Sequence, residues 1–350
     1  MRGWEKNVRK VVPYVPGEQP ALENLIKLNT NENPYPPSPK VLEALSRMDG
    51  EKLRKYPDPA SSRLTRALAE RYGVAEDQVF VGVGSDDVLG MAFMTFFNSE
   101  KPVLFPDISY SFYPVWADLL RIPYETRKLD ENFTIQKEDY LTENGGIVFP
   151  NPNAPTGLLM PLSEVEEIVA ANPDAVVIVD EAYIDFGGRS AVPLIAGYDN
   201  LLVVQTFSKS RSMAGMRIGF ALGQAPLIKA MSDIKYSYNS YTMNLPSQVA
   251  GVKALEDEEY FQSTLKKVIE TREKAKTRLS ALGFTFPDSR ANFIFAKHKE
   301  KPAEEIFQAL KERQIFVRHF NQPRIHDYLR ITVGTDEEME ALFAFLEEYL

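Results

Sequence analysis

Along this 350-residue chain the spacing of apolar and polar positions changes character once, near residue 257. Between about 78 and 222, short continuous apolar runs recur: "QVFVGVG", "PVLFP", "GIVFP", "AVVIVD", "LLVVQT" and "IGFAL". Runs that do not alternate belong to strands covered on both faces by helices. Helix-like stretches lie between them, "SDDVLGMAFMTFF" after the first run and residues 162–171 before "AVVIVD". Upstream, "NTNENPYPPSP" at 29–39 is too rich in Asn and Pro for regular structure. Helices are expected over 40–48 and 62–72, the second carrying Leu64, Ala67, Leu68 and Tyr72 at helical spacing. This pattern predicts an α/β layered domain with a mostly parallel sheet between helices.

Past 257 the rhythm becomes that of one long amphipathic helix. Phe261, Leu265, Val268, Arg272, Ala275, Leu279 and Leu282 recur at three- and four-residue spacing, and Gly283 stands where a helix C-terminus wants glycine. "FTFPDS", "NFIFAKH", a helix at 303–313, "IFVRHF", "LRITVG" and a final helix from 336 follow. They predict a smaller α+β domain joined to the first by the long helix. The expected division is 30–245 for the large domain, with 1–29 and 246–350 forming the small one.

Composition narrows the chemistry. With 44% hydrophobic and 25% charged residues the chain has the balance of a soluble globular enzyme. A net charge of −9 argues against a nucleic-acid or anionic-membrane surface, which needs basic patches. No cysteine is present, so thiol catalysis, disulfides and zinc–thiolate sites are excluded, and three histidines make a His-rich metal site unexpected. No metal is therefore expected. The N-terminus lacks the apolar core of a signal peptide and no run reaches the length of a membrane span. A cytoplasmic protein is the expectation.

In an open parallel sheet, ligands bind beyond the carboxyl ends of the strands. Five predicted strands end in chemistry: Gly84-Ser85-Asp86, "DISY", "NPNAPTG", "DEAY" and "FSKS". Singly, each has an ordinary explanation. Ser85 and Asp86 suit a helix N-cap, "NPNAPTG" is good turn sequence, and Lys209 and Arg217 are ordinary surface residue types. A carboxylate after four apolar residues, as at Asp180, is harder to dismiss, because burying it without a cation is costly. Together, on one rim, they suit a phosphate-bearing pyridine cofactor. A lysine would form a Schiff base with its aldehyde, and a carboxylate would keep the ring nitrogen protonated. Free N–H groups at a helix start, serines and an arginine would hold the phosphate. "GVGSDD" is only a weak echo of a dinucleotide-binding turn, since Asp87 occupies the third glycine position.

Asn-x-Pro-Thr-Gly at 153–157, Asp-x-x-Tyr at 180–183 and Ser-Lys-x4-Ala-Gly-x-Arg-x-Gly at 208–219 resemble the fold-type I pyridoxal-phosphate aminotransferases. "LNTNENPYPPSP", "KYPDP", "GSDD", "VDEAYIDF", "TFSKSRSMAGMRIGF" and "LRITVGT" are similar, more narrowly, to the histidinol-phosphate aminotransferases. The resemblance implies that Lys209 is the Schiff-base lysine and proton shuttle, and that Asp180 pairs with the pyridinium nitrogen. It further implies that Tyr183 lies near the phenolic oxygen and that Tyr110 stacks on the ring. Ser85 and Asp86, through their amides, and Ser208 and Arg217 are implied at the phosphate. Tyr56 is implied to reach the phosphate of a neighbouring subunit, hence a homodimer with shared active sites. In the family an asparagine usually precedes Pro-Thr-Gly and bonds the phenolic oxygen; here that residue is Ala154, so either Asn153 supplies the amide through a local shift or Tyr183 acts with less help. Tyr14, Asn33, Arg318 and Arg330 are implied in substrate binding.

What the resemblance implies is transamination by a ping-pong cycle, with a small-molecule amino donor and a 2-oxo acid as partners. Histidinol phosphate and 2-oxoglutarate are the expected pair, within histidine synthesis. A threonine-phosphate decarboxylase-like activity or a broad aromatic aminotransferase is the alternative on the same scaffold. A nucleotide-dependent oxidoreductase is the alternative from another class. An aminotransferase-like sensor of a transcription regulator would need a DNA-binding module, for which this acidic chain has no expected segment.

Overall fold

The computed structural model describes residues 2–20 and 25–350, so residues 1 and 21–24 of the expected N-terminal segment lie outside the described residues. A two-residue strand, β1 (Ile26–Lys27), leads to helices α1 (Pro39–Ser46) and α2 (Ser62–Tyr72). Strands and helices then alternate: β2 (Val79–Gly82), α3 (Ser85–Phe96), β3 (Val103–Pro106), α4 (Phe112–Leu120), β4 (Tyr124–Arg127), β5 (Gly146–Pro150), α5 (Leu162–Ala171), β6 (Val177–Asp180), β7 (Leu201–Thr206) and β8 (Gly219–Gly223). Helices α6 (Ala225–Tyr238), α7 (Leu245–Leu255) and α8 (Glu258–Ala281) come next. The remainder is β9 (Phe284–Thr285), β10 (Phe293–His298), α9 (Ala303–Glu312), β11 (Ile315–Phe316), β12 (Arg318–His319), β13 (Leu329–Thr332) and α10 (Asp336–Tyr349).

Seven strands form one sheet in the order β2-β8-β7-β6-β5-β3-β4. Only β8 runs antiparallel to its neighbours, so the sheet is mostly parallel. Every residue of β3, β5, β6 and β7 is buried. Successive residues point to opposite faces, and two apolar clusters divide them accordingly. Leu104, Phe149, Val179 and Val203 belong to one, and Phe105, Val148, Ile178 and Leu202 to the other. The apolar runs are continuous because each face of the sheet has its own layer of helices to bury.

Two elements escaped the hydrophobic pattern. Strand β4, "YETR", is an edge strand with three exposed residues, so it needs no apolar run. The expected strand "IFVRHF" is split: β11 pairs in parallel with β1, while β12 pairs antiparallel with β13. The four strands β12-β13-β10-β9 make the second sheet. Ile294, Ala296, Leu329 and Ile331 from that sheet pack with Ala275 and Leu279 of α8, Ile306 and Leu310 of α9, and Leu342 and Phe343 of α10. Gly283 follows the C-cap of α8 with φ +85°, a conformation that glycine adopts without steric cost. Among the described residues no helix is long and apolar enough to cross a membrane.

Arg272 is the largest fully buried side chain, 1% exposed on α8. Its Nη1 donates to the carbonyls of Phe186 (2.7 Å) and Ala291 (3.0 Å), and its Nε to Glu273 (2.8 Å). One guanidinium thus fastens α8 to the loop after β6 and to the approach to β10. Arg272→Met keeps most of the volume but leaves both carbonyls without this donor. It is expected to lower the unfolding free energy by about 2–4 kcal/mol, read as a lower urea midpoint; an unmoved midpoint would show that water replaces the guanidinium freely.

Candidate active site

The carboxyl ends of β2, β3, β5, β6 and β7 open on one edge of the large sheet, where two adjoining cavities of about 210 and 190 Å³ lie. They share Thr30, Tyr110, Ala154, Tyr183 and Lys209. Of the residues singled out by sequence, Ser85, Asp86, Tyr110, Asp180, Tyr183, Ser208, Lys209 and Arg217 line the first cavity. Tyr14, Arg318 and Arg330 line the second. Loops from both sheets therefore meet at Lys209.

The end of the first cavity nearest α3 is built as an anion cradle. Gly84 caps α3 with φ +85°, and the Arg217 guanidinium lies where a Cβ on Gly84 would stand. A Cβ on Gly219, at the start of β8, would collide with the backbone of Gly84 and Ser85. The close approach presses an arginine and a helix N-terminus together, two sources of positive potential at one point. Asp86 is already engaged there: its carboxylate accepts from Arg217 Nη2 (3.2 Å) and from Tyr110 Oη (2.6 Å). Burial, then the neighbouring Asp86, pushes the Tyr110 hydroxyl well above its ordinary range, so it stays a neutral donor. Thr206 Oγ1 accepts from the Ser208 N–H (3.1 Å) and lies 2.9 Å from Ser208 Oγ, which fixes the serine beside the cradle.

Asp180 ends β6 and is 4% exposed. Tyr113 Oη donates to Oδ2 at 2.9 Å and the Ala182 N–H to Oδ1 at 3.3 Å, but among the described residues no lysine or arginine is bonded to it. Burial pushes its carboxyl up to about 6 despite those two donors. Lys209 follows β7, and its Nζ donates to the Thr30 carbonyl (3.1 Å) while lying 5.8 Å from the centre of the Tyr183 ring. Tyr183 sits edge-on against Phe293, and its oxygen accepts from Asn31 Nδ2 at 2.9 Å.

In the second cavity, Arg330 lies between the rings of Phe293 and Phe320, at 5.4 and 5.7 Å. Its Nη2 donates to the Asn29 carbonyl (2.9 Å), and its buried Nε has no partner. Burial lowers its pKa, which is the price of a charge held without an acidic side chain. Arg318 stands nearby over Phe320, and Tyr14 stacks on Phe112 with ring centres 4.2 Å apart.

Two expected site residues, Asn153 and Asn33, are placed otherwise. Asn153 was expected to offer its amide beside Tyr183; instead Nδ2 is used by the Ile108 carbonyl (3.0 Å) and Thr156 Oγ1 (3.1 Å), which shape the turn. The amide on Tyr183 comes from Asn31, a residue the sequence reading passed over. Asn33, expected at the substrate, donates to the carbonyls of Lys209 (3.0 Å) and Ser210 (3.2 Å), behind the lysine. Tyr56 is 82% exposed, stacks on Tyr241 and lines neither cavity of its own chain. Tyr113 was also missed. It lies three residues beyond Tyr110, just inside α4, where its N–H bonds the Tyr110 carbonyl and the two rings meet edge-on at 5.7 Å.

A protonated ring nitrogen suits the uncompensated Asp180, a phosphate suits the cradle, and an aldehyde suits a lysine amine held only by a carbonyl. The donor set fits a pyridine cofactor bearing a phosphate. Fold and site together define an aminotransferase of class I and II; that family's model matches residues 23–346, and the chain belongs to it. The chain is 54% identical over 351 residues to the histidinol-phosphate aminotransferase of Aromatoleum aromaticum, covering 99% of each. It is 56% identical over 341 residues to that of Pseudomonas putida, covering 97% and 98%. The solved histidinol-phosphate aminotransferase from Sinorhizobium meliloti, in complex with pyridoxal-5'-phosphate, superposes with a TM-score of 0.85. That match covers 93% of this chain and 92% of the other at 24% identity, a likeness of fold.

A carboxyl raised in the folded state favours folding while protonated. For Asp180 that contribution fades as pH rises from the unfolded value near 4 through about 6. Cofactor-free Asp180→Asn protein is therefore expected to exceed cofactor-free wild type in stability at pH 7.5, by on the order of 2 kcal/mol, and to lose that advantage near pH 4. Thermal unfolding of both proteins at the two pH values checks this; an equal gain at both would mean that the charge of Asp180 is not the cause.

Proposed function

We infer that this chain is a pyridoxal-phosphate-dependent histidinol-phosphate aminotransferase, passing the amino group of histidinol phosphate to 2-oxoglutarate. The products are imidazole-acetol phosphate and glutamate, a step of histidine biosynthesis. One observation carries the reading: a lysine amine, a buried carboxylate lacking a cation and an arginine on a helix N-terminus share one cavity. Identity of 54–56% over nearly the whole length to proteins named for this reaction supports the choice of amino donor.

Pyridoxal phosphate, when bound, supplies an aldehyde for the lysine and a ring that accepts the electrons of a carbon–hydrogen bond. Asp180 would pair with the ring nitrogen and keep it protonated, Tyr110 would pack on the ring, and Tyr183 would donate to the phenolic oxygen. The N–H groups of Ser85 and Asp86, with Ser208 and Arg217, hold the phosphate through charge-assisted bonds. Lys209, whose Nζ is held by the Thr30 carbonyl, would serve as the base that carries the proton leaving the substrate carbon.

Arg330, with no acidic partner, receives a substrate carboxylate, and Arg318 with Tyr14 takes the far phosphate or second carboxylate. A planar guanidinium suits either anion, which lets one cavity serve an amino phosphate and glutamate in turn. In this reading residues 30–245 hold the cofactor, and 1–29 with 246–350 close over the substrate. The enzyme works in the cytoplasm as a homodimer, with Tyr56 reaching the phosphate of the other subunit; the exposure of Tyr56 supports this.

The test is the visible absorption of the purified enzyme before and after histidinol phosphate, with no oxo acid added. The cofactor band is expected to bleach to the amine form of the cofactor. A band that histidinol phosphate leaves unchanged would exclude this donor and point to aromatic or other phosphorylated amines. Release of carbon dioxide from a phosphorylated amino acid would favour the decarboxylase alternative. Lys209→Ala should abolish the band and cut turnover at least roughly a thousand-fold. Arg330→Ala should raise the KM for the oxo acid by roughly ten- to a hundred-fold, the loss of a charge-assisted hydrogen bond; an unchanged KM would take Arg330 out of carboxylate binding.

A further inference from the structure

Asn31 is 1% exposed and holds the left-handed conformation, φ +55°. Its four polar contacts leave little freedom. The main-chain N–H donates to Thr332 Oγ1 at 3.1 Å, so the threonine proton goes to Asn31 Oδ1 at 3.2 Å. Asn292 Nδ2 donates to the Asn31 carbonyl at 3.0 Å. With Oδ1 committed to Thr332, the amide nitrogen faces Tyr183, 2.9 Å from its hydroxyl oxygen. An amide nitrogen donates and cannot accept. The Tyr183 oxygen is therefore the acceptor in this bond, and its single proton must leave in another direction. The ring lines both cavities beside Lys209, and the neighbouring Ala154 offers no side-chain acceptor.

We propose that Asn31 is a positioning residue: by donating to Tyr183 it turns the tyrosine proton into the cavity, and Thr332 fixes the amide in the orientation that does so. Thr332 ends β13 and Asn292 precedes β10, so the small sheet sets the direction of a proton on a residue that follows β6 of the large one. The bond also polarises the hydroxyl, because a phenol oxygen that accepts becomes a stronger donor. The charged side chains that line the two cavities with Tyr183 are Glu32, Asp180, Lys209, Arg318 and Arg330, with Asp86 and Arg217 at the cradle end; none of them bonds Asn31. The inference rests on the assignment of Tyr183 to the phenolic oxygen of pyridoxal phosphate.

A donor at that oxygen favours the form of the loaded, substrate-free enzyme that has lost the proton shared with the Lys209 nitrogen. The pH midpoint of the visible band reads this without turnover. Tyr183→Phe is expected to raise the midpoint. Asn31→Ala is expected to raise it by about half to one pH unit, a three- to ten-fold change in proton affinity, and to add nothing in the Tyr183→Phe background. Asn31→Asp places an acceptor where the donor was, draws the tyrosine proton back, and should match Tyr183→Phe. Thr332→Val frees the amide to turn and should move the midpoint the same way by less, which keeps the test open if an Asn31 variant folds poorly. Equal shifts from Asn31→Ala with and without the Tyr183 hydroxyl, or no shift while Tyr183→Phe gives one, would reduce Asn31 to a structural role. No shift in Tyr183→Phe itself would remove the assignment of Tyr183, and this inference with it.

Discussion

Asp180 lies at the end of a strand buried along its whole length, with a tyrosine hydroxyl and one backbone N–H as its donors and, among the described residues, no bonded cation. An unpaired buried carboxylate costs several kcal/mol, and a sheet built only for stability would not place one there. Under the proposed function the cost becomes useful, since the same low-dielectric surroundings that penalise the lone charge would strengthen its pairing with a positively charged ring nitrogen. Tyr113 keeps the carboxylate aimed meanwhile. The buried strand β6, the tyrosine on α4 and the cavity above β6 are all arranged around this single charge.

The opposite end of the cavity solves a different problem by close packing. Arginine, helix N-terminus and strand β8 converge because Gly84 and Gly219 lack side chains at the two points of contact. Arg217 itself adopts φ +51°, a conformation that costs a non-glycine residue energy. Charge concentrated by strain at one end and an uncompensated opposite charge at the other give the cavity a polarity along its length. Under the proposed function, this polarity selects one orientation for a cofactor with an anionic phosphate and a cationic ring nitrogen.

Much of this was legible in the residues. Continuous apolar runs specified the strands of the large sheet, because two helical layers demand apolar side chains on both faces. The chemistry was legible for the same reason: strand ends are easy to find, and ligands gather beyond them. Edge strand β4 was not, since a strand with a free face carries no such pattern. The site residues that eluded sequence are those whose role depends on distant partners. Asn31 meets Tyr183 across 152 positions and Thr332 across 301. Asn153, in a stretch that looked the right place for an amide, spends its own on the turn that contains it. Local sequence reports which groups stand at a rim; it does not report which of two asparagines reaches a given hydroxyl.

Lys209 is held at both ends by one short loop. The carbonyl of Thr30 takes its amine, and the side chain of Asn33, three residues later, takes its own carbonyl. The loop works as a caliper whose jaw opening is the length of a lysine side chain. Its composition can vary within what the two contacts require, but its length cannot: a residue inserted between 30 and 33 would open the jaws, and a residue deleted would leave one of them short. When the amine is engaged elsewhere, the Thr30 carbonyl loses this donor and only the Asn33 contact still ties the loop to the lysine.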